Sequence, residues 1–227
     1  MKWNLLPVIL FCITGVSAQQ PAFNSLSDAL NKPLMVTWLN LKGQNLDSLP
    51  ESIGQLVNLE RLNISSNQLS RLPKALFTLK KLKYLNLTAN KLTSIPAEIS
   101  NLKGLEELEI SFNPIGVLPK EMGKLARLFR LSAAKNNLKN LPDEMAQMSS
   151  MKIVDITYNQ FVSLPKALTG MKKLKALDIS YNKSLATCPA AIKNLEALKL
   201  LNIKNTKLTK IQVEQLKRLL PECLTML

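Results

Sequence analysis

Two pairs of carboxylates in this chain have a spacing that could support chemistry. Glu107 and Glu109 are separated by one residue, so in a β-strand both side chains would lie on one face, about 6.5 Å apart. That distance is near the one at which glycosidases hold their two catalytic carboxyl groups. Asp155 and Asp178 could attract a cation or a basic group of a partner if the fold brings them together. Both possibilities depend on the elements that position these side chains.

Composition removes most other kinds of catalytic or metal site. The chain of 227 residues contains no histidine, which excludes the Ser-His-Asp and Cys-His nucleophile systems and every metal site that uses histidine. Of the three cysteines, Cys12 lies in an N-terminal leader, and Cys188 and Cys223 alone cannot form a zinc or thiolate cluster. We therefore expect no metal, no cofactor and no catalytic residue.

A repeated unit of 23 residues organises most of the chain. One copy, residues 82–99, reads L-x-x-L-x-L-x-x-N-x-L-x-x-I-P-x-x-I. Leu85 and Leu87 alternate with Asn86, which is typical of a short strand with one buried face. A single copy has no second layer to cover its leucines, so neighbouring copies must stack and share one core. Successive copies begin at Leu59, Leu82, Leu105, Leu128, Met151 and Leu174.

An asparagine recurs at the point where each strand ends. Its amide can both donate and accept, so it can satisfy backbone groups that a curved loop leaves unpaired. This predicts a buried ladder of asparagines along the stack. Gln44 and Thr206 occupy the same position in the first and last repeats, and we interpret Gln44 as a weakened rung. The ladder comprises Asn67, Asn90, Asn113, Asn136, Asn159 and Asn182.

The template resembles the leucine-rich repeat, and its L-P-x-x-I form is similar to the 23-residue repeats of Ras-suppressor-type proteins and of exported bacterial relatives. The resemblance covers nearly all of the chain after residue 33. It implies an α/β leucine-rich-repeat solenoid: a right-handed curved array of about eight repeats, with a parallel sheet on the concave face. It also implies a helical N-terminal cap and a C-terminal cap of a helix and a strand.

The chain divides into four predicted segments. Residues 1–18 have a lysine, an apolar stretch and the cleavage-like end Val16-Ser17-Ala18, as in a signal peptide. Residues 19–35 form an N-terminal capping helix that Ser25 begins and Pro33 ends. Residues 36–210 are the repeats, and residues 211–227 are the C-terminal cap. We expect export to the periplasm, the cell surface or the medium.

Three local departures from the template lead to further expectations. Ala133 replaces a leucine or isoleucine and should thin the core in its repeat. One extra residue follows Asn182, and it should form a local bulge. Cys188 and Cys223 lie about two turns apart, roughly 10 Å at the spacing of neighbouring strands. A disulfide needs a Cα separation below about 7 Å, so we expect no bridge between them.

The variable strand positions of the concave face are the candidate partner-binding site. Trp38 and Tyr84 flank Arg61, a composition enriched in binding hot spots, although aromatic residues also fill gaps between strands. We expect an open sheet to leave the pKa of its acids unchanged and the pair of aspartates to be solvated. The predicted site comprises Trp38, Arg61, Tyr84, Glu107, Glu109, Phe112, Arg130, Asp155, Tyr158, Asp178 and Tyr181.

These observations favour a non-enzymatic, monomeric module that binds a protein or peptide, the nature of the partner being what the resemblance implies. The net charge of +14 and the pI near 9.8 leave open a second function. This is adhesion to anionic polysaccharide or to the cell envelope through lysines at the turns, such as Lys80, Lys81 and Lys83. A third possibility is a hydrolase that uses Glu107 and Glu109. We expect no nucleic-acid partner and at most a peripheral contact with membranes.

Overall fold

Short parallel strands stack in sequence order into one sheet. The computed structural model describes residues 22–227, so the predicted signal peptide and Cys12 lie outside the described residues. Within residues 22–227 the sheet has nine strands, each paired with the next along the chain, and the fold is the expected leucine-rich-repeat solenoid. The strands are β1 (Trp38–Asn40), β2 (Arg61–Asn63), β3 (Tyr84–Asn86), β4 (Glu107–Glu109), β5 (Arg130–Ser132), β6 (Ile153–Asp155), β7 (Ala176–Asp178), β8 (Leu200–Asn202) and β9 (Leu224–Met226).

The constant repeat length keeps equivalent residues in register. Leu62 pairs with Leu85, which pairs on its other side with Leu108. These central strand leucines are completely buried and belong to one continuous core that extends through every repeat. The residues on either side of each central leucine point away from this core, so every strand presents two side chains on the opposite, concave surface.

The segment that follows each of the strands β1–β7 contains a short 3-10 helix that begins after a proline. Pro96, for example, has an extended backbone and precedes the helix Ala97–Asn101, in which Ile99 is buried. Proline has no N–H to donate, so it suits this first position. The other 3-10 helices are Pro33–Met35, Glu51–Gln55, Lys74–Thr78, Lys120–Lys124, Asp143–Gln147, Lys166–Gly170 and Ala190–Asn194.

The six asparagines form the predicted buried ladder. Asn90 is representative: its Nδ2 donates to the carbonyl oxygens of Leu87 and, in the preceding repeat, Ile64. Its Oδ1 accepts from the backbone N–H of Leu69, also in the preceding repeat. Each rung therefore ties one turn of the solenoid to the turn before it, and satisfies backbone groups that the tight curve leaves unpaired.

The ladder ends differently from the prediction at its N-terminal side. Gln44 is not a buried rung: its exposed Nε2 donates to the carbonyl of Asn24, which lies outside the repeats. Its longer side chain reaches past the ladder position, and Asn67 Oδ1 instead accepts from the Gln44 backbone N–H. In the last repeat, Thr206 Oγ1 donates to the carbonyl of Ile203, which is one of the bonds that a ladder asparagine makes.

Helical segments flank the repeats. Helix α1 (Leu26–Asn31) begins at Ser25, whose Oγ accepts from the N–H of Asp28. Helix α2 (Lys210–Leu219) begins with a capping box between Thr209 and Gln212 and buries Leu216. Among residues 22–227, no helix combines the length and the hydrophobicity needed to cross a bilayer. The four segment boundaries given above stay a prediction.

The departures from the template are accommodated locally. Ala133 is fully buried at a position where other repeats bury a larger side chain. The extra residue lies in a turn between Asn182 and Leu185, closed by a 2.9 Å bond from the N–H of Leu185. The sheet register then resumes. Cys188 and Cys223 are both free, and burial raises the pKa of the Cys188 thiol to about 12, which keeps it protonated and unreactive.

Close stacking of the 3-10 helices leaves no room for a side chain at two glycines, Gly123 and Gly170. A Cβ at Gly123 would clash with the backbone carbonyl of Glu144 in the next helix, whereas a Cβ at Gly116 would meet no atom within 4 Å. We expect Gly123→Ala to lower the free energy of unfolding by about 2 kcal/mol, because a backbone cannot yield as a side chain can. Urea denaturation should show this loss and no loss for Gly116→Ala. Equal stabilities of the two variants would contradict the close packing.

Candidate functional site

The predicted residues of the concave surface form one row across the first five strands. Sheet register places Trp38 beside Arg61, Arg61 beside Tyr84, Tyr84 beside Glu107, and Glu107 beside Arg130. The row exists because the same template position recurs in every repeat. These five side chains are therefore neighbours in the order of the sequence, and none of them belongs to the buried core.

Arg61 is held between two aromatic rings. Its guanidinium carbon lies 5.5 Å from the centroid of the Trp38 ring and 4.7 Å from that of the Tyr84 ring. Its Nε is buried without a hydrogen-bond partner, and among residues 22–227 no carboxylate lies within 4.0 Å to form an ion pair with it. The rings hold the cation by cation–π attraction.

The two glutamates of β4 share one arginine. Arg130 Nη1 lies 3.4 Å from Glu107 Oε2, and its Nη2 lies 3.9 Å from Glu109 Oε1. Asn86 Nδ2 donates to Glu109 Oε2 at 2.7 Å and to the Tyr84 hydroxyl at 3.0 Å. Tyr84, Asn86, Glu107, Glu109 and Arg130 thus form one polar network in which each charge has a fixed partner.

The pKa values of two members of this network, Glu109 and Tyr84, are raised, so the expectation of unchanged pKa values on an open sheet is wrong. Burial raises the pKa of Glu109, against the opposing effect of the Arg130 cation. Burial and then the Glu109 charge raise the pKa of Tyr84 to about 12. Burial also raises the pKa of Asp155. Long neighbouring side chains, rather than a pocket, remove water from these carboxylates.

The aspartate pair is not solvated, which corrects a second expectation. Asp178 is only 7% exposed; its Oδ1 accepts from the N–H and the hydroxyl of Ser180, and its Oδ2 accepts from Asn202 Nδ2. Asp155 Oδ1 accepts from the N–H of Thr157. These bonds stabilise the backbone turn at the end of each strand, a role that short carboxylate side chains commonly have. Asp178 is therefore buried and engaged, and does not present its charge to a partner.

Phe112, Tyr158 and Tyr181 lie apart from the row, three residues beyond the ends of β4, β6 and β7. They form an edge ladder with Lys135, a residue that the sequence analysis missed. Lys135 Nζ lies 4.4 Å from the centroid of the Phe112 ring and 5.2 Å from that of Tyr158. The rings of Tyr158 and Tyr181 stack at 4.2 Å, with 7° between their planes. The signal for Lys135 was present, because it occupies the same repeat position as the three aromatic residues.

An apolar cluster on the last strands was also missed. Ile153, Ala176 and Leu200 continue the row of Arg130 and are 3–6% exposed, and the partly buried Met226 packs against them. They form a cluster separate from the main core. This row of the concave surface therefore changes along the stack, from aromatic and charged on β1–β5 to apolar on β6–β8.

Two family models match the chain. The model described as "Leucine-rich repeat region" matches residues 76–180, and that described as "Leucine rich repeat" matches residues 35–92. Together the matches extend from residue 35 to residue 180. No protein of curated function has a matching sequence.

Solved structures show the same fold. An internalin (InlF) from Listeria monocytogenes is 19% identical, with a TM-score of 0.75 over 90% of this chain and 57% of that chain. The leucine-rich repeat domain of the type III effector XopL is 22% identical, with a TM-score of 0.71 over 89% and 79%. The plant peptide hormone receptor RGFR1 in complex with RGF2 is 25% identical, with a TM-score of 0.58 over 71% and 30%. This chain thus spans less than two thirds of the internalin and of the receptor.

Proposed function

Since this chain belongs to the leucine-rich repeat family, whose members are generally non-enzymatic interaction modules, we propose that it binds a protein or peptide on the concave surface of its sheet. The observation that carries the proposal is the Arg61 guanidinium, stacked between Trp38 and Tyr84 with no carboxylate of residues 22–227 within 4.0 Å of it. Tryptophan, tyrosine and arginine are the residues that dominate binding energy at protein interfaces.

The scaffold would keep the cost of binding low. Strands β2–β8 are each paired on both sides, and the side chains of the row are fixed by stacking and by the Asn86–Glu109–Arg130 contacts. A surface that is already ordered loses little conformational entropy when a ligand arrives. The ligand would therefore be recognised largely by rigid complementarity.

The chemistry of the row suggests what the partner offers. Arg61 can receive a carboxylate of the partner between two apolar rings, where a charge-assisted hydrogen bond is strong. Glu107 and Glu109 share the single cation of Arg130, so at most one negative charge remains there for a basic group of the partner. The apolar cluster of Ile153, Ala176 and Leu200 would favour apolar side chains at the other end of the ligand. We propose a peptide segment with an acidic group and apolar residues.

The proposal extends to the export, the repeat type and the oligomeric state of the chain. We propose that residues 1–18 direct export, that the repeats belong to the 23-residue Ras-suppressor-like type, and that the mature chain acts as a monomer. A hydrolase is less well supported, because Glu107 and Glu109 share Arg130 and neither stands free as a general acid. The solved receptor that contains a peptide hormone supports the peptide as partner by likeness of fold.

The test identifies a partner and then measures its affinity. The mature chain would be used to capture proteins from its native envelope fraction, and the dissociation constant of each captured protein would be measured by calorimetry. We expect the triple variant Trp38→Ala/Arg61→Ala/Tyr84→Ala to weaken binding at least about ten-fold. Arg127→Ala/Val117→Ala, which removes an exposed arginine and an exposed valine away from the row, should leave it unchanged. Unchanged affinity of the triple variant would refute the site.

The lysines at the turns, Lys80, Lys81 and Lys83, are a weaker second candidate for the binding surface. Lys81 Nζ donates to Asn58 Oδ1 at 2.7 Å, Lys83 Nζ pairs with Glu60 at 2.8 Å, and Lys80 Nζ contacts the carbonyl of Asn101 at 3.4 Å. These three ammonium groups are thus engaged with their own neighbours. If binding to an envelope fraction fell steeply with added salt and survived the triple variant, adhesion through lysines would replace the concave surface.

A further inference from the structure

The edge ladder of Phe112, Lys135, Tyr158 and Tyr181 carries an inference separate from the concave row. All four residues have a positive φ, between 52° and 59°. In this left-handed region a bulky side chain is strained, typically by about 1–2 kcal/mol. Small residues occupy the same repeat position at the other end of the stack, where Gly43, Ser66 and Ala89 also have a positive φ. That position therefore requires no aromatic side chain for folding.

Strain of this kind is a common mark of a functional position. Phe112 and Tyr158 are 50% and 44% exposed, so their rings contribute little to the core. The side chains instead contact one another along the edge, through the two ring contacts of Lys135 and the stacked tyrosines. The chain thus displays a row of aromatic rings and a cation at the surface, at a position where other repeats have Ser66 or Ala89.

The two tyrosines border an open groove of about 680 Å³. Its wall also contains the amide of Gln160, the hydroxyl of Ser184 and the exposed aliphatic side chain of Val162. Lys139 and Lys183 lie along it. Phenol, amide and hydroxyl groups can both donate and accept hydrogen bonds, and the rings add an apolar surface. A few polar groups that converge on a partly apolar concavity are typical of a ligand site.

The charge of this groove has one sign. Lys139 and Lys183 line it, and Lys135 adjoins it through its contact with Tyr158. No aspartate or glutamate lines it, and none of the three lysines forms an ion pair within residues 22–227. Such a groove attracts anions and repels cations.

We propose that this groove binds an acidic saccharide, a sugar chain that carries carboxylate or sulfate groups. The saccharide's hydroxyls would meet Gln160, Ser184 and the two phenols, and its acidic groups would meet the lysines. An acidic peptide fits less well. Strands β6 and β7 are paired on both sides, which leaves no free strand edge to which a peptide could add. Val162 is the one exposed aliphatic side chain of the groove wall, too little to anchor a peptide by its side chains.

Calorimetry with defined polymers tests the proposal on the full chain. The probes are polygalacturonate and heparin as acidic saccharides, dextran as a neutral saccharide, and polyglutamate as an acidic peptide. We expect binding to at least one acidic saccharide, at least ten-fold weaker binding to polyglutamate and none to dextran. Tyr158→Asn/Tyr181→Asn should weaken the saccharide binding at least ten-fold while keeping the fold, because asparagine tolerates a positive φ.

Two variants of equal charge complete the test. Lys139→Glu/Lys183→Glu reverses the charge inside the groove, and Lys172→Glu/Lys173→Glu makes the same change at exposed turn residues outside it. Only the first pair should abolish binding. The proposal is overturned if the wild-type chain binds neither acidic saccharide, if polyglutamate binds as tightly, or if both charge pairs have equal effects. Because Trp38, Arg61 and Tyr84 are unchanged in these variants, failure here leaves the concave site untouched.

Discussion

Asn136→Ala is expected to lower the free energy of unfolding by about 4 kcal/mol. The buried Asn136 amide donates to the carbonyls of Ile110, Ala133 and Ala134 and accepts from the N–H of Ile115. Alanine would leave the N–H of Ile115 without this partner, whereas the three carbonyls would each lose one bond and keep another, from Asn113, Asn159 and the N–H of Phe112. A buried unsatisfied group costs about 1–3 kcal/mol, and each lost hydrogen bond about 0.5–1.5 kcal/mol. The loss should appear as a lower urea midpoint, followed by circular dichroism.

The adjacent residue provides a matched control. Asn137 is exposed, and its side chain accepts only a long 3.5 Å contact from Gln160. Asn137→Ala removes the same atoms from the next position in the chain and should change stability by less than about 0.5 kcal/mol. If the two alanine variants unfolded at the same urea concentration, the rungs would not be stabilising the stack.

Arg130→Met is expected to cost about 3 kcal/mol at neutral pH. Arg130 is the one cation shared by Glu107 and Glu109, whose side chains are only 19% and 21% exposed. Methionine keeps the length of the side chain but leaves two partly buried carboxylates facing each other. Removing one member of a buried ion pair costs about 3–5 kcal/mol, and the water that still reaches these groups favours the lower value.

This loss should depend on pH in a defined direction. Burial already holds the pKa of Glu109 above its ordinary value, and Arg130 opposes that rise, so the variant should raise this pKa further. An acid with a higher pKa in the folded state binds more protons when folded, so its stability contribution is greatest below the unfolded pKa. It falls as the pH rises through the folded pKa. The difference between variant and wild type should therefore be small near about pH 4 and full at pH 7.

Thermal and urea unfolding at the two pH values would check this result. Arg127→Met, at an exposed arginine outside the network, should show no pH-dependent difference from the wild type. A loss for Arg130→Met that is equal at both pH values would mean that packing, and not the pairing of charges, accounts for the effect.

The fold could be predicted from the sequence because its main determinant is periodic. Leu85, Leu108 and Leu131 occupy one template position, and stacking is the one arrangement that covers them all. The asparagine ladder follows for the same reason, since a buried amide at every strand end must pair with backbone. The neighbours in the concave row also follow, because a constant repeat length fixes the register.

The environment of each side chain in the row could not be predicted in the same way. The repeat gives Asp178 a surface position, but Ser180 and Asn202 from two different repeats turn toward it and bury it. Likewise, the side chains of Tyr84, Asn86 and Arg130 exclude water from Glu109. Such effects depend on the conformations of long side chains, which a period does not specify. Gln44 failed as a rung because one extra methylene carries its amide past the ladder, toward Asn24.

The ladder has a mechanical consequence. Each rung joins one turn only to the turn before it, as Asn90 joins Leu69 and Ile64 to its own repeat. Under tension applied to the two ends of the chain, the rungs would therefore break one after another and not all at once. The solenoid would lengthen in steps, each releasing one turn of roughly 80 Å of extended chain. A protein built in this way would extend gradually under load, and the turns that have not yet opened would remain folded.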